Sequence, residues 1–322
     1  MQYCKFFTYR LAKSSRRVIP LRMRYFTLFA MIVFPAAAQV KTVTLHPLIN
    51  DLVKKIGGEK VDNIDLIGET GDPHHFEPSA EQLRQTTGRQ LYFLSGKGLE
   101  SYLPSLRNII KEPARIIEVG ETLPTIEGGC ATCDHEHEGH DDHAAHEEEH
   151  DDLADPHWWH SIENFRRAAR VIEKELATTD AANAAFYKKS ADEYVGKLEE
   201  LERWVRREIA TIPKNRRHLA TAHDAFAYFC KDYGFTAYPV QGINREQLPD
   251  AKKLGSLIAE LKKNQVAAIF PEKESNPKIL TSLTKETGIK LGAALSADGT
   301  NSASYEEMVR NNVSAIVTGL KP

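Results

Sequence analysis

From residue 41 onward, short apolar runs alternate with amphipathic segments, and the alternation reads as strand, helix, strand, helix. Residues 41–45 predict a strand, and 47–56 a helix with Pro47 in its first turn and Gly57-Gly58 at its end. Residues 61–67 predict the next strand, and Ser79 is placed to cap a helix from Ala80. Residues 90–94, 99–111 and 115–119 continue as strand, helix, strand. Ile162, Phe165, Ala168, Ala169, Ile172 and Leu176 then recur at helical spacing. Asp180 is placed to cap a longer helix over 181–211, apolar at Leu198, Leu201, Val205 and Ile212, with Pro213 beyond it. At 1.5 Å per residue that helix is roughly 45 Å long, more than the width of a small domain. The second half repeats the alternation, with strands at 218–221, 235–240, 266–270 and 289–295 and helices at 225–232, 251–263, 277–287 and 305–320. The pattern predicts an α/β chain of two lobes, each a parallel sheet flanked by helices, joined by one long rigid helix. The lobes are expected at 39–180 and 213–322, with 181–212 as the connecting helix.

Arg22 and Arg24 precede the apolar run 25–34 and then Pro35-Ala36-Ala37-Ala38. Basic residues, a short apolar core and a small-residue site describe a secretory signal over 1–38, cut after about Ala38. The core falls short of the roughly 20 residues of a comfortable membrane span. Met1 and Met23 are both possible starts. Export changes the reading of the cysteines. Cys4 leaves with the signal, Cys130 and Cys133 suit a local disulfide or a metal-ligand pair, and Cys230, in an apolar helical pattern, suits a buried free thiol. A net charge of -3 supplies no basic surplus for nucleic acid.

The tripeptide Asp-Pro-His occurs twice, at Asp72-Pro73-His74 and Asp155-Pro156-His157. Open parallel sheets bind ligands beyond the carboxyl ends of their strands. His74, His223 and Asp298 each follow a predicted strand, and His157 precedes a predicted helix. Three imidazoles and a carboxylate make a four-coordinate set suited to zinc. Each also has a plainer reading: a turn histidine beside proline, Asp224 as a helix cap next to His223, Asp298-Gly299 as a turn dipeptide. No local motif holds the four together. His46, His75, His160 and His218 read as supporting or surface residues, and Trp158 and Trp159 as the wall of a cleft. Between the two tripeptides, residues 127–155 have no hydrophobic period and read as a mobile loop. It carries His135, His137, His140, His143, His146 and His150 among many carboxylates, a composition that binds metal weakly and at several points.

Taken in order, Gly71-Asp-Pro-His-His-Phe-Glu-Pro78, Asp155-Pro-His-Trp-Trp159, Thr221-Ala-His-Asp-Ala-Phe-Ala-Tyr-Phe229, Ile269-Phe-Pro-Glu272, Leu295-Ser-Ala-Asp298 and Tyr305-Glu-Glu-Met-Val-Arg-Asn-Asn-Val313 resemble the zinc and manganese substrate-binding proteins of bacterial ABC transporters, the ZnuA/TroA-like family. The resemblance implies a metal held between two lobes. His74, His157, His223 and Asp298 match its ligands, and Glu272 is the alternative carboxylate. Three histidines and a His-rich loop imply Zn(II), whereas manganese members often replace one histidine by a carboxylate.

The expected function is therefore periplasmic capture of Zn(II), with no enzymatic activity. The implied partners are a membrane ABC permease with its cytoplasmic ATPase, and a periplasmic zinc chaperone; the chain itself is expected as a monomer. Affinity should fall below about pH 6.5, where free imidazole protonates, and metal loss should bring only a modest tilt of the lobes. The alternatives are a manganese-binding homologue, a metal-dependent adhesin or zinc buffer, and an exported zinc hydrolase with Glu272 as general base.

Overall fold

The computed structural model describes residues 38–126, 154–243, 249–273 and 277–322. The expected signal segment up to Ala37, Cys130, Cys133 and the histidine run from His135 to His150 lie outside them. Elements β1 (Val40–Thr44), α1 (Pro47–Gly57), β2 (Val61–Asp65), α2 (Ala80–Gln85), β3 (Leu91–Leu94), α3 (Leu103–Ile109) and β4 (Arg115–Glu118) build the first sheet and its helices. All pairings are parallel, in the order β2-β1-β3-β4. Two helices follow, α4 (Ile162–Thr179) and the 27-residue α5 (Ala184–Ala210), about 40 Å long. The second sheet comprises β5 (His218–His223), α6 (Ala227–Tyr233), β6 (Thr236–Gln241), α7 (Ala251–Lys263), β7 (Ala268–Phe270), α8 (Pro277–Thr287) and β8 (Lys290–Leu291), and α9 (Tyr305–Leu320) closes the chain. Its order β6-β5-β7-β8 repeats the topology of the first sheet, again all parallel. Two parallel sheets flanked by helices are what the alternating pattern predicts.

The differences from the predicted elements have local causes. β2 stops at Asp65 because its Oδ1 accepts the Gly68 amide at 3.1 Å and turns the chain. α3 starts at Leu103, not 99, since Gly96, Lys97 and Gly98 all have positive φ and Pro104 sits in the first turn. Ser79 does cap α2, in a full capping box with Gln82. Asp180 caps nothing with its side chain; its Oδ2 accepts instead from Asn183 Nδ2 and the Tyr187 hydroxyl. Asp224 is likewise not the cap of α6, which begins after Phe226 without a side-chain cap. The predicted strand over 289–295 contracts to β8 plus a single parallel bridge between Leu295 and Glu272.

Tyr187, Ala191, Tyr194, Leu198, Leu201, Val205 and Ile209 form the buried stripe of α5, which packs against α1, α4 and α9. One apolar cluster runs from Leu48 and Phe93 through Trp158, Trp159 and Phe165 to Phe229, Phe270 and Ile316. The outer face of each sheet has its own cluster, around Tyr92 and Leu94 in the first and Tyr238 and Ile269 in the second. Thus the inner faces of both sheets share one core with α5, which limits how far they separate. Among the described residues, no helix is long and apolar enough to cross a membrane. Cys230 is a buried free thiol, and burial pushes its pKa up.

Candidate metal centre

Four side chains, three from loops and one from the end of a strand, meet where the sheets face each other. His74 lies between β2 and α2, His157 between β4 and α4, His223 ends β5, and Asp298 lies between β8 and α9. Single donor atoms from the four all lie within 4.8 Å of one another. The Nε2 atoms of His74 and His157 are 3.1 Å apart, and those of His157 and His223 3.3 Å. Asp298 Oδ1 is 3.4 Å from His74 Nε2 and 3.9 Å from His157 Nε2. A tetrahedron with metal–nitrogen bonds of about 2.0–2.1 Å has edges of about 3.3 Å. The donor set and its spacing therefore suit one divalent cation.

Hydrogen bonds from neighbouring side chains aim these donors. His157 gives its Nδ1 proton to Asp155 Oδ1 at 2.8 Å, and the same oxygen accepts the His157 amide at 2.9 Å. His223 gives its Nδ1 proton to Glu272 Oε2, while Glu272 Oε1 accepts the His223 amide at 3.0 Å. Each carboxylate fixes the tautomer whose Nε2 lone pair faces the cluster and makes the imidazole a better donor. Glu272 thus meets His223 from the side away from the other imidazoles, with both oxygens engaged by His223, which suits neither a ligand nor a general base. The role of Asp155 is absent from the sequence reading. The Asp-x-His spacing was the available signal, since a carboxylate two residues before a histidine can reach both its amide and its ring. In the first copy the same spacing does something else: Asp72 accepts the His74 amide at 3.0 Å, and its other oxygen takes the His75 ring at 2.9 Å.

The loops themselves are cross-tied. Trp159 Nε1 donates to the Ala297 carbonyl at 2.7 Å, joining the His157 and Asp298 segments. Thr300 Oγ1 donates to the Gly71 carbonyl at 3.0 Å and the Asn301 amide to the Glu69 carbonyl at 2.9 Å, joining the Asp298 and His74 segments. Gly299 is required here. Its φ is +79°, and a Cβ would lie 2.3 Å from Leu48 of α1. Both tryptophans are fully buried, but only the Trp159 ring faces the site, 5.3 Å from that of His157; Trp158 stacks on Phe165 and donates to Ser95 Oγ at 3.1 Å.

Burial sets the electrostatics. It holds the His157 imidazole well below its usual value, helped by the neighbouring His74 and His223. Protonation of this imidazole therefore begins at lower pH than that of an exposed histidine. Burial also pushes the Asp155 carboxyl up to about 7, against the His157 amide, which favours its charged form. A divalent cation reverses that preference by adding charge nearby. Replacing Asp155 by alanine is expected to weaken metal binding about 10- to 100-fold, the usual effect of losing such a supporting partner. Chelator competition measures it, and an affinity within twofold of the parent chain contradicts the assigned role.

His46 and His160 are buried, not surface residues. Burial lowers both to about 3. His46 Nδ1 accepts the Leu48 amide at 3.2 Å as the cap of α1, and its ring lies 4.5 Å from that of Trp159. Between pH 6.5 and about 3 the unfolded chain protonates His46 and the folded chain does not, so this residue makes stability fall as pH falls. Asparagine retains a capping oxygen without titrating. The stability deficit of His46→Asn in the metal-free protein should accordingly shrink by about 2 kcal/mol from pH 7 to pH 5. Urea unfolding at the two pH values tests this; an unchanged deficit means that His46 titrates alike in both states.

The family model described as zinc-uptake complex component A, periplasmic, matches residues 42–319. The chain belongs to this family. Its members are substrate-binding components of metal ABC transporters and not enzymes. The manganese-binding lipoprotein MntA of Bacillus subtilis is 30% identical over 299 residues, covering 89% of this chain and 91% of that protein. The manganese ABC transporter substrate-binding lipoprotein PsaA of Streptococcus pneumoniae is 27% identical over 287 residues, covering 88% of this chain and 89% of that protein. Among solved structures, the periplasmic zinc binding protein TroA from Treponema pallidum matches with a TM-score of 0.76 at 24% identity, over 88% of this chain and all of that one. At that identity the likeness concerns the two-lobed α/β fold.

Proposed function

We propose that this chain captures Zn(II) outside the cytoplasm through His74, His157, His223 and Asp298 and passes it to a membrane permease driven by a cytoplasmic ATPase. The observation that carries this reading is the donor set, three imidazoles to one carboxylate. Imidazole suits zinc, whereas manganese favours carboxylate and water oxygens. The family description, which speaks of zinc uptake, agrees. Manganese is the second reading, since MntA and PsaA are both described as manganese proteins. The lobes are taken as residues 39–180 and 213–322 around a connecting helix, acting as a monomer in the periplasm after cleavage near Ala38. The histidine run is assigned an accessory part, gathering zinc from solution or from a periplasmic zinc chaperone.

Affinity alone does not separate the two metals, because zinc outranks manganese at most nitrogen and oxygen sites. Uptake does. Cells lacking this chain should stop growing under zinc limitation and recover with added zinc. Recovery with manganese alone would replace zinc by manganese in this reading.

A further inference from the structure

Tyr228 stands in α6, five residues after the His223 ligand, and is 3% exposed. Its hydroxyl leaves the second sheet's side and reaches the two chain segments that flank residues 127–153. It accepts the Ile126 amide at 3.1 Å, and its single proton is shared between the Asp155 carbonyl at 3.2 Å and the Pro124 carbonyl at 3.3 Å. The same two segments are joined directly, the Asp155 amide donating to the Ile126 carbonyl at 2.9 Å. Buried Lys97 holds the first of these segments to the turn after β3, its Nζ donating to the Leu123 carbonyl at 3.1 Å and to Thr125 Oγ1 at 2.5 Å. Asp155 therefore has two duties: its carboxylate orients His157, and its carbonyl is held by Tyr228.

We propose that Tyr228 is a positioning residue for metal retention, whose hydroxyl fastens the His157 segment to the His223 segment. This rests on the metal-binding reading above. Release of the ion requires the imidazoles of His157 and His223 to part. They ride on segments that this one hydroxyl bridges, so its hydrogen bonds break when they part. Phenylalanine fills the same space without the bridge and leaves the Ile126 amide unpaired.

Zinc release from the full chain into excess chelator, followed by stopped flow, tests the proposal. Tyr228→Phe should release zinc about tenfold faster, the factor expected for one buried hydrogen bond. Tyr233→Phe is the control, because its hydroxyl is also buried and bonded, to Glu202 Oε2 at 2.5 Å, away from the ligands. It should lower the melting temperature and leave the release rate unchanged. Equal rates for Tyr228→Phe and the parent chain would overturn the proposal, as would equal acceleration by Tyr233→Phe. A parent chain that binds no zinc would instead overturn the metal-binding reading itself.

Discussion

Replacing His157 by alanine is expected to abolish tight metal binding while leaving the chain folded. His157 is the hub of the centre: its Nε2 is 3.1 Å from that of His74, 3.3 Å from that of His223 and 3.9 Å from Asp298 Oδ1. Closed zinc sites bind with about 10–16 kcal/mol, so one ligand of four accounts for about 3 kcal/mol. Affinity should accordingly drop by two orders of magnitude or more. The substitution also leaves Asp155 buried without its imidazole, which adds to the loss in the bound state. His75→Ala is the matched control, since that exposed ring contacts Asp72 and is no part of the four-residue set. Chelator competition on both variants reads the difference. A His157→Ala affinity within a few fold of the parent would remove this residue from the ligand set. Deleting residues 136–150 should cost only weak binding.

The second large effect is on stability. Without a cation, three imidazoles crowd together beside the buried carboxylates of Asp155, Glu272 and Asp298, and the hydrogen bonds of His157 to Asp155 and of His223 to Glu272 offset only part of the lost hydration. Zinc at a thousand times its dissociation constant adds about 4 kcal/mol to the folded state. For a chain of this size that raises the melting temperature by roughly 6–7 °C. The rise should reverse with chelator, persist when 136–150 are deleted, and largely vanish in His157→Ala. Calorimetric scans of the four samples measure it. A rise of less than about 2 °C, or one lost with the histidine run, would locate binding elsewhere.

Much of this was legible in the chain. The period of apolar residues located nearly every strand and helix, because parallel strands buried on both faces and helices with one buried stripe leave distinct marks. Strand ends then gave His223, and the repeated Asp-Pro-His pointed to His74 and His157. What stayed hidden depends on register. Glu272 reaches His223 because β5 pairs with β7 at Thr221–Phe270, which sets the residues two further on side by side. No single segment carries that information. The short β8 was overpredicted because apolar residues 289–295 satisfy the pattern of a strand, although most of them leave the sheet for the turn that carries Asp298. The choice between supporting and surface positions for His46 and His160 stayed open for a similar reason: a polar residue enclosed by tertiary contacts looks the same in sequence as an exposed one.

Anomalous diffraction at the zinc edge from crystals of the zinc-loaded protein tests the convergence of the four side chains most directly. A single strong peak about 2.0–2.1 Å from the Nε2 atoms of His74, His157 and His223, with an Asp298 oxygen completing the shell, is the predicted result. A strong peak elsewhere, with those three imidazoles unligated, would contradict it.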